Sequence, residues 1–347
     1  MKEGSSPERA ASLMTVVGVR PSHASSYLVR AAVTAPSVYN TQPWAFVAEE
    51  QDKGIELHAD LTRRLPLTDP YGREAVISCG AALFNVRLAM RHLGFTPVVR
   101  PFPHPQDSSF LAQVTWGAYG RPSHDEQRMY GALRRRQTVC GPFLAQPLPS
   151  SLIDELREQA RREGATLHCL DDTTSRQHLA ELVRAGEDAR RTDPGYAAEQ
   201  SRWTWGIAPP RTDGVPADAD VMRPDCTSLV GRDYLGLTRM FPAPPRRWPA
   251  RTGPVAVMST DRDDRPDWLR AGQALERVLL YAAAHGVMAA FHTQPLELPP
   301  LKAQIRRTLT MGEFPQMILR LGYPPCIRPL PRRPVEEVLT TRDSRPS

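Results

Sequence analysis

Apolar residues recur at helical spacing over residues 73–94, where Ile77, Ala81, Phe84 and Leu88 share one face and Gly94 supplies a stop. A helix is also expected over 22–34, with Tyr27, Leu28, Ala31 and Ala32 on one face, ended by Ala35-Pro36-Ser37 because proline restricts the residue before it. Residues 44–49 and 55–59 alternate like two strands of a hairpin around Gln51-Asp52-Lys53-Gly54. Further strands are read at 96–100, 111–116 and 165–170, and helices at 124–136, 151–163 and 175–190. Residues 193–249 break the pattern. They are rich in proline and carry isolated aromatics (Trp203, Trp205, Tyr234, Phe241, Trp248), which favours a packed flap over a linker. Order returns with strands at 254–260, 287–291 and 316–321 and helices at 266–286 and 300–310.

Two of these helices match each other. Gly80, Ala82, Leu83, Val86, Leu88 and Gly94 fall in register with Gly272, Ala274, Leu275, Val278, Leu280 and Gly286, and an apolar strand follows each. A glycine inside a helix costs about 1 kcal/mol relative to alanine, so two in matching places call for a packing reason. A close crossing at Gly80 and Gly272 would make a pseudo-two-fold interface. Two related α+β halves, joined near residue 130, would then mimic a homodimer in one chain.

Composition narrows the function classes. The chain has 347 residues and a net charge of +6, from 44 basic against 38 acidic side chains. Its apolar and charged content is that of a globular protein, and no apolar run approaches the roughly 20 residues a spanning helix needs. The start is a poor signal peptide, so a cytoplasmic address is expected, with residues 1–20 a flexible N-terminus. The surplus charge is too dispersed for a nucleic-acid footprint. Only Lys2, Lys53 and Lys302 are lysines; a GC-rich genome is the simplest reading of the arginine excess. The cysteines (Cys79, Cys140, Cys169, Cys226, Cys326) are odd in number and widely spaced, which disfavours a zinc site or a disulfide scaffold. No GxGxxG after a strand, Walker loop, GxSxG or HExxH is present.

The most specific string is Ala35-Pro-Ser-Val-Tyr-Asn-Thr-Gln-Pro-Trp-Ala-Phe46. As chemistry it is a helix stop, then a polar loop of hydroxyls and amides, then a strand. Such a loop suits a heteroaromatic ring or a polyol, and it is equally an Asx-type turn with an anchoring tryptophan. The string resembles the flavin loop of the FMN-dependent nitroreductase superfamily. With Asp60-Leu-Thr-Arg-Arg-Leu-Pro-Leu-Thr-Asp-Pro-Tyr-Gly-Arg-Glu74, Ile77–Ala82, Arg136-Gln-Thr138, Thr293–Glu297, Met317–Tyr323 and Pro331–Pro334, the chain from about 22 to 339 is similar to the Acg-like, double-length nitroreductase-like flavoproteins.

That resemblance implies an α+β fold of two fused nitroreductase-like halves, an intramolecular pseudo-dimer with a lid insertion. Residues 21–130 would form the first half and 131–347 the second, with the lid at 193–249 and a tail at 324–347. It implies one FMN per chain, with NADPH or NADH as candidate reductant and a small-molecule electron acceptor. Pro36, Ser37, Asn40 and Gln42 would come from the first half. Arg136, Thr138, Gln294, Glu297, Arg332 and Arg333 would come from the second. Arg332 and Arg333 would take the phosphate, whose charge of about −2 suits guanidinium forks. Thr138 would meet the ribityl chain or phosphate, and Arg136 the pyrimidine side of the ring. Ser37, Asn40 and Gln42 would meet the ribityl chain or ring edge, and the 294–297 segment the ring. The opposite pseudo-site lacks such a loop and is expected to be empty. Cys140 and Tyr39 depart from the family pattern, which usually has a basic residue and a histidine there. Tyr39 and His292 are candidate proton donors, but no catalytic residue and no metal is assigned. Two other functions fit the same residues: a lidded FMN-binding protein without efficient NAD(P)H turnover, and a tailoring dehydrogenase. A monomeric pseudo-dimer or a homodimer of it is expected, with neither nucleic acid nor membrane as partner.

Overall fold

The computed structural model describes residues 23–139, 143–205, 211–216, 229, 231, 232 and 253–341. Cys140, Cys226, the expected flexible N-terminus and much of the expected lid lie outside the described residues.

Helix α1 (Ala24–Ala32) leads into the polar loop, and strands β1 (Trp44–Ala48) and β2 (Gly54–Ala59) form the expected hairpin. Helix α2 (Arg73–His92) runs to Gly94, whose φ of 87° is the left-handed stop read from the sequence. Strands β3 (Phe95–Pro101) and β4 (Phe110–Tyr119) complete an antiparallel run β1-β2-β4-β3. Helix α3 (His124–Ala132) opens on a capping box between Ser123 and Glu126.

The second half runs through helix α4 (Ser150–Arg162), strand β5 (Thr166–Cys169) and helix α5 (Thr173–Arg191). Helix α6 (Pro194–Arg202) corrects the sequence reading, which left this stretch irregular. The start signal was present: the Asp193 side chain accepts from the Gly195 amide, and Pro194 takes the first helical position, where a missing N–H costs nothing. Strands β6 (Thr204–Trp205) and β7 (Val215–Pro216) pair in parallel. Strand β8 (Val255–Thr260), helix α7 (Arg265–Ala284), strand β9 (Met288–Phe291), helix α8 (Pro299–Leu309) and strand β10 (Phe314–Gly322) follow. They give a four-stranded antiparallel sheet in the order β5-β8-β10-β9. Every residue of β8 is buried, apolar from Val255 to Met258 and polar at Ser259 and Thr260.

The two halves exchange structure. Helix α9 (Val335–Val338) leads into strand β11 (Leu339–Thr341), which pairs in parallel with β1 and extends the first sheet to five strands. The tail of the second half therefore closes the first, and one apolar core runs through both, from Trp44, Phe46 and Leu83 to Leu275, Leu280 and Met258. At its centre α2 crosses α7. A β-carbon on Gly80 would lie 2.3 Å from the Leu269 carbonyl oxygen, and one on Gly272 would lie 2.0 Å from that of Ile77. No larger residue fits at this approach, which is the packing reason the matched glycines called for. Gly286 repeats the left-handed stop of Gly94, with φ 78°. The fold is that of two fused α+β halves packed as a pseudo-dimer. Among the described residues no helix is long and apolar enough to cross a membrane.

Candidate functional site

The loop between α1 and β1 is held in a costly conformation. Tyr39, Asn40 and Gln42 have φ of 49°, 53° and 50°. Non-glycine residues there cost on the order of 1–3 kcal/mol each and persist only where surrounding contacts impose them. The contacts are visible. The Ser37 hydroxyl accepts from the Gln42 amide at 2.9 Å. Asn40 donates through Nδ2 to the carbonyls of Gly214 and Pro331, while its Oδ1 accepts from Arg332 at 2.8 Å. Gln42 donates to the Thr212 carbonyl and accepts from the Arg333 amide, both at 2.8 Å. Arg63, in the motif after β2, donates to the Thr41 carbonyl and pairs with Asp213 at 2.8 Å. One loop of the first half thus carries the C-terminal tail and the 211–216 segment on its polar groups.

A cavity with about 920 Å³ of empty space, part of it open to solvent, lies between the halves. Pro36–Asn40 form one wall, Glu74, Ile77 and Ser78 of α2 another, and Thr138, Leu275 and residues 290–293 the side given by the second half. Thr138 is fixed there by a parallel bridge to Ala289. Arg232 reaches the same cavity and donates to the Tyr39 hydroxyl and Thr293 while pairing with Glu297, with its guanidinium 5.1 Å from the Tyr39 ring centre. His292 is buried on the wall, with its backbone N–H on the Ile318 carbonyl and its ring beside Arg320.

Beside this cavity is a buried charged cluster. Arg136 and Glu276 are 2% and 0% exposed, and their nearest ion-pair atoms are 3.6 Å apart. Arg136 spends one Nη2 hydrogen bond on the Thr34 carbonyl, and among the described residues Nε and Nη1 have no hydrogen-bond partner. Arg332 donates to the same carbonyl at 3.4 Å. Asn85 donates to Glu276 at 3.0 Å, and Glu276 Oε2 has no hydrogen-bond partner among the described residues. Burial pushes the Glu276 carboxyl up to about 7 against the pull of Arg136, and burial together with Arg136 brings Arg332 down to about 9. Two guanidiniums facing one carboxylate, with donors left over, form a cradle short of an anion.

The expected residues therefore divide. Pro36, Ser37, Asn40 and Thr138 line the cavity, and Arg136 and Arg332 meet in the cluster next to it. The resemblance sets Arg136 near the pyrimidine side of a ring; in the structure its guanidinium shares the Thr34 carbonyl with Arg332. Arg333 lies apart, on the Gln42 and Glu337 carbonyls and near Asp60 at 3.8 Å. Gln42 is occupied in holding the loop. Gln294 and Glu297 stand behind the cavity wall, Gln294 donating to Glu187 at 3.2 Å and Glu297 pairing with Arg190 and Arg232. Sequence reasoning missed Glu74, Ser78, Asn85, Arg232 and Glu276. For Glu276 a signal existed: the helix repeat puts it in register with Phe84, a charged residue where its counterpart is apolar.

Among relatives, a Mycobacterium tuberculosis protein named "Uncharacterized protein Rv3127" is 31% identical over 333 residues, covering 90% of this chain and 92% of its own. The M. tuberculosis protein named "Putative NAD(P)H nitroreductase acg" is 30% identical over 319 residues, covering 90% of this chain and 94% of its own. The chain belongs to the Acg-like nitroreductase family. No family model matches it. Among solved structures, the FMN-dependent nitroreductase NfnB of Mycobacterium smegmatis, in complex with NADPH, is 17% identical at a TM-score of 0.39, over 63% of this chain and 99% of that one. In this Acg-like chain the cavity and the charged cluster are built from both halves, and the loop of the first half is held by partners from the second.

Proposed function

We propose that the protein is an FMN-binding, nitroreductase-like oxidoreductase with one flavin site per chain, at the cavity between its halves. The observation that carries this reading is Arg136, buried with two N–H groups lacking a hydrogen-bond partner among the described residues, beside the half-buried Arg332 and adjoining a cavity lined by Pro36–Asn40 and Thr138. A terminal phosphate supplies the missing acceptors. Ser37, Asn40 and Thr138 offer hydroxyl and amide groups for a ribityl chain, and Ile77, Leu275 and Ala290 offer apolar surface for a ring. FMN, when bound, supplies hydride and electron chemistry through N5 toward a small acceptor. The chain's part is to hold the phosphate, shape the cavity and exclude water. The opposite side of the crossing supports a single site: Arg277, in register with Asn85, pairs with Glu163, which also holds Arg87. A monomeric pseudo-dimer of residues 21–130 and 131–347, acting in the cytoplasm, goes with this reading.

The test is direct. A purified chain should be yellow and release one FMN on denaturation, and it should oxidise NADPH or NADH with a nitroaromatic or quinone acceptor. Colourless protein that takes up no FMN would sink the proposal. A second reading, flavin holding without efficient NAD(P)H turnover, is favoured by Arg232 and the 211–216 segment, which close on Tyr39, Asn40 and Gln42. Flavin bleached by dithionite but by neither nucleotide would select it.

A further inference from the structure

Glu276 is an acid where an anion site needs none. It sits wholly buried on α7, opposite Arg136 at 3.6 Å, with Arg332 acting on it and Asn85 donating to one oxygen. Its other oxygen has no hydrogen-bond partner among the described residues, and neither do Nε and Nη1 of Arg136. The cluster adjoins the cavity at three places. Leu275, before Glu276, lines the cavity; so does Thr138, two residues after Arg136; and Asn40, bonded to Arg332, lines it too.

Charge neutrality decides what this arrangement does. Empty, with Glu276 ionised, the cluster holds two guanidiniums and one carboxylate, one net positive charge. A dianionic phosphate would turn that to one net negative charge against the buried Arg136 and Glu276, where uncompensated charge is costly. A proton on Glu276 restores neutrality. The carboxyl then becomes a donor as well as an acceptor, able to face the phosphate without repulsion.

We propose that Glu276 is an unassigned binding residue that makes capture of a dianionic terminal phosphate depend on uptake of one proton. This rests on the flavin reading above. Burial already holds the free carboxyl at about 7, so uptake is demanded where Glu276 would otherwise be ionised. The sign follows: affinity is fully present below that value and is lost as pH rises through it. Arg332, brought down to about 9, keeps most of its own charge below that value, so most of the change between pH 7 and 8.5 belongs to Glu276. The phosphate's own second ionisation, near about 6, acts below the window.

The experiment dilutes flavin-loaded full-length protein at pH 6.5 to 8.5 and reads free FMN by fluorescence, with riboflavin titrated in parallel. The FMN dissociation constant should rise about tenfold between pH 7 and 8.5. Riboflavin, without the phosphate, should show no such rise. Glu276→Gln should abolish the rise and bind FMN more tightly than wild type at pH 8.5. Parallel pH dependence for FMN and riboflavin, or a flat FMN profile in the wild type, overturns the proposal and leaves the flavin reading standing. Failure to bind FMN at any pH overturns both. If that variant does not fold, a phosphate-dependent rise already under way near pH 7.5 still assigns the titration to Glu276, because a rise that begins only near 9 would belong to Arg332 and overturn the proposal.

Discussion

Gly80 and Gly272 face each other across the α2–α7 crossing so closely that a β-carbon on Gly272 would lie 2.8 Å from the Gly80 α-carbon. That approach sets the helix side of the site. It brings Asn85 of one helix to Glu276 of the other, and it sets Ile77 and Leu275 on one cavity wall.

Gly80→Ala and Gly272→Ala should each destabilise the protein by about 3 kcal/mol, because the added methyl meets helix backbone, which cannot turn aside. Gly131→Ala is the control. That exposed glycine of α3 has nothing within 4 Å of an added β-carbon and should gain about 0.5–1 kcal/mol. Urea midpoints measure all three, and equal effects at Gly80 and Gly131 would refute the crossing.

The arginines next to each other in sequence should part in function. Arg332→Ala and Arg136→Ala should weaken FMN retention by about 1.5–3 kcal/mol, the range for a charge-assisted hydrogen bond. Arg333→Ala should lower stability instead, since its guanidinium serves the Gln42 and Glu337 carbonyls. Flavin content after gel filtration separates them; an Arg333 effect as large as that of Arg332 would contradict the placement.

Arg232→Met should loosen the closure above Tyr39, removing donors to Tyr39 and Thr293 and the pair with Glu297. Stopped-flow bleaching of the flavin by NADPH is then expected to accelerate several-fold. If bleaching by dithionite accelerates and bleaching by NADPH stays absent, nicotinamide is not the reductant.

Asp69 gives a pH signature of folding. Burial, with Glu74 nearby, raises its carboxyl to about 6 from 3.8. The folded chain therefore binds more protons than the unfolded chain between those values, and stability falls as pH rises through them. Asp69→Asn removes that fall, which amounts to about 2–3 kcal/mol at full ionisation. Urea unfolding of both proteins at pH 3.5, 5 and 7 should show the variant gaining on the wild type across the window; a constant difference would show that Asp69 is not the group.

Periodicity and glycine placement were enough to read most helices and strands and the internal repeat, because those are local or translational properties of the chain. Gly80 and Gly272 announced a close crossing, since little else justifies glycine inside two matched helices. The Pro36–Asn40 loop was legible through its resemblance to a family. Strand β11 was not, because three residues pair only where β1 offers an edge, some 290 positions away. Nor could the string Arg332-Arg333 show that one side chain turns to Arg136 and the other to Gln42. Neighbours in sequence point to opposite sides of an extended chain, and which side holds a carbonyl or another cation depends on distant segments. The chain by itself determined the two halves and the residue types a phosphate needs. Only the tertiary structure decided which arginines are brought together, that Arg136 is left with spare donors, and that a buried carboxyl on α7 stands opposite them.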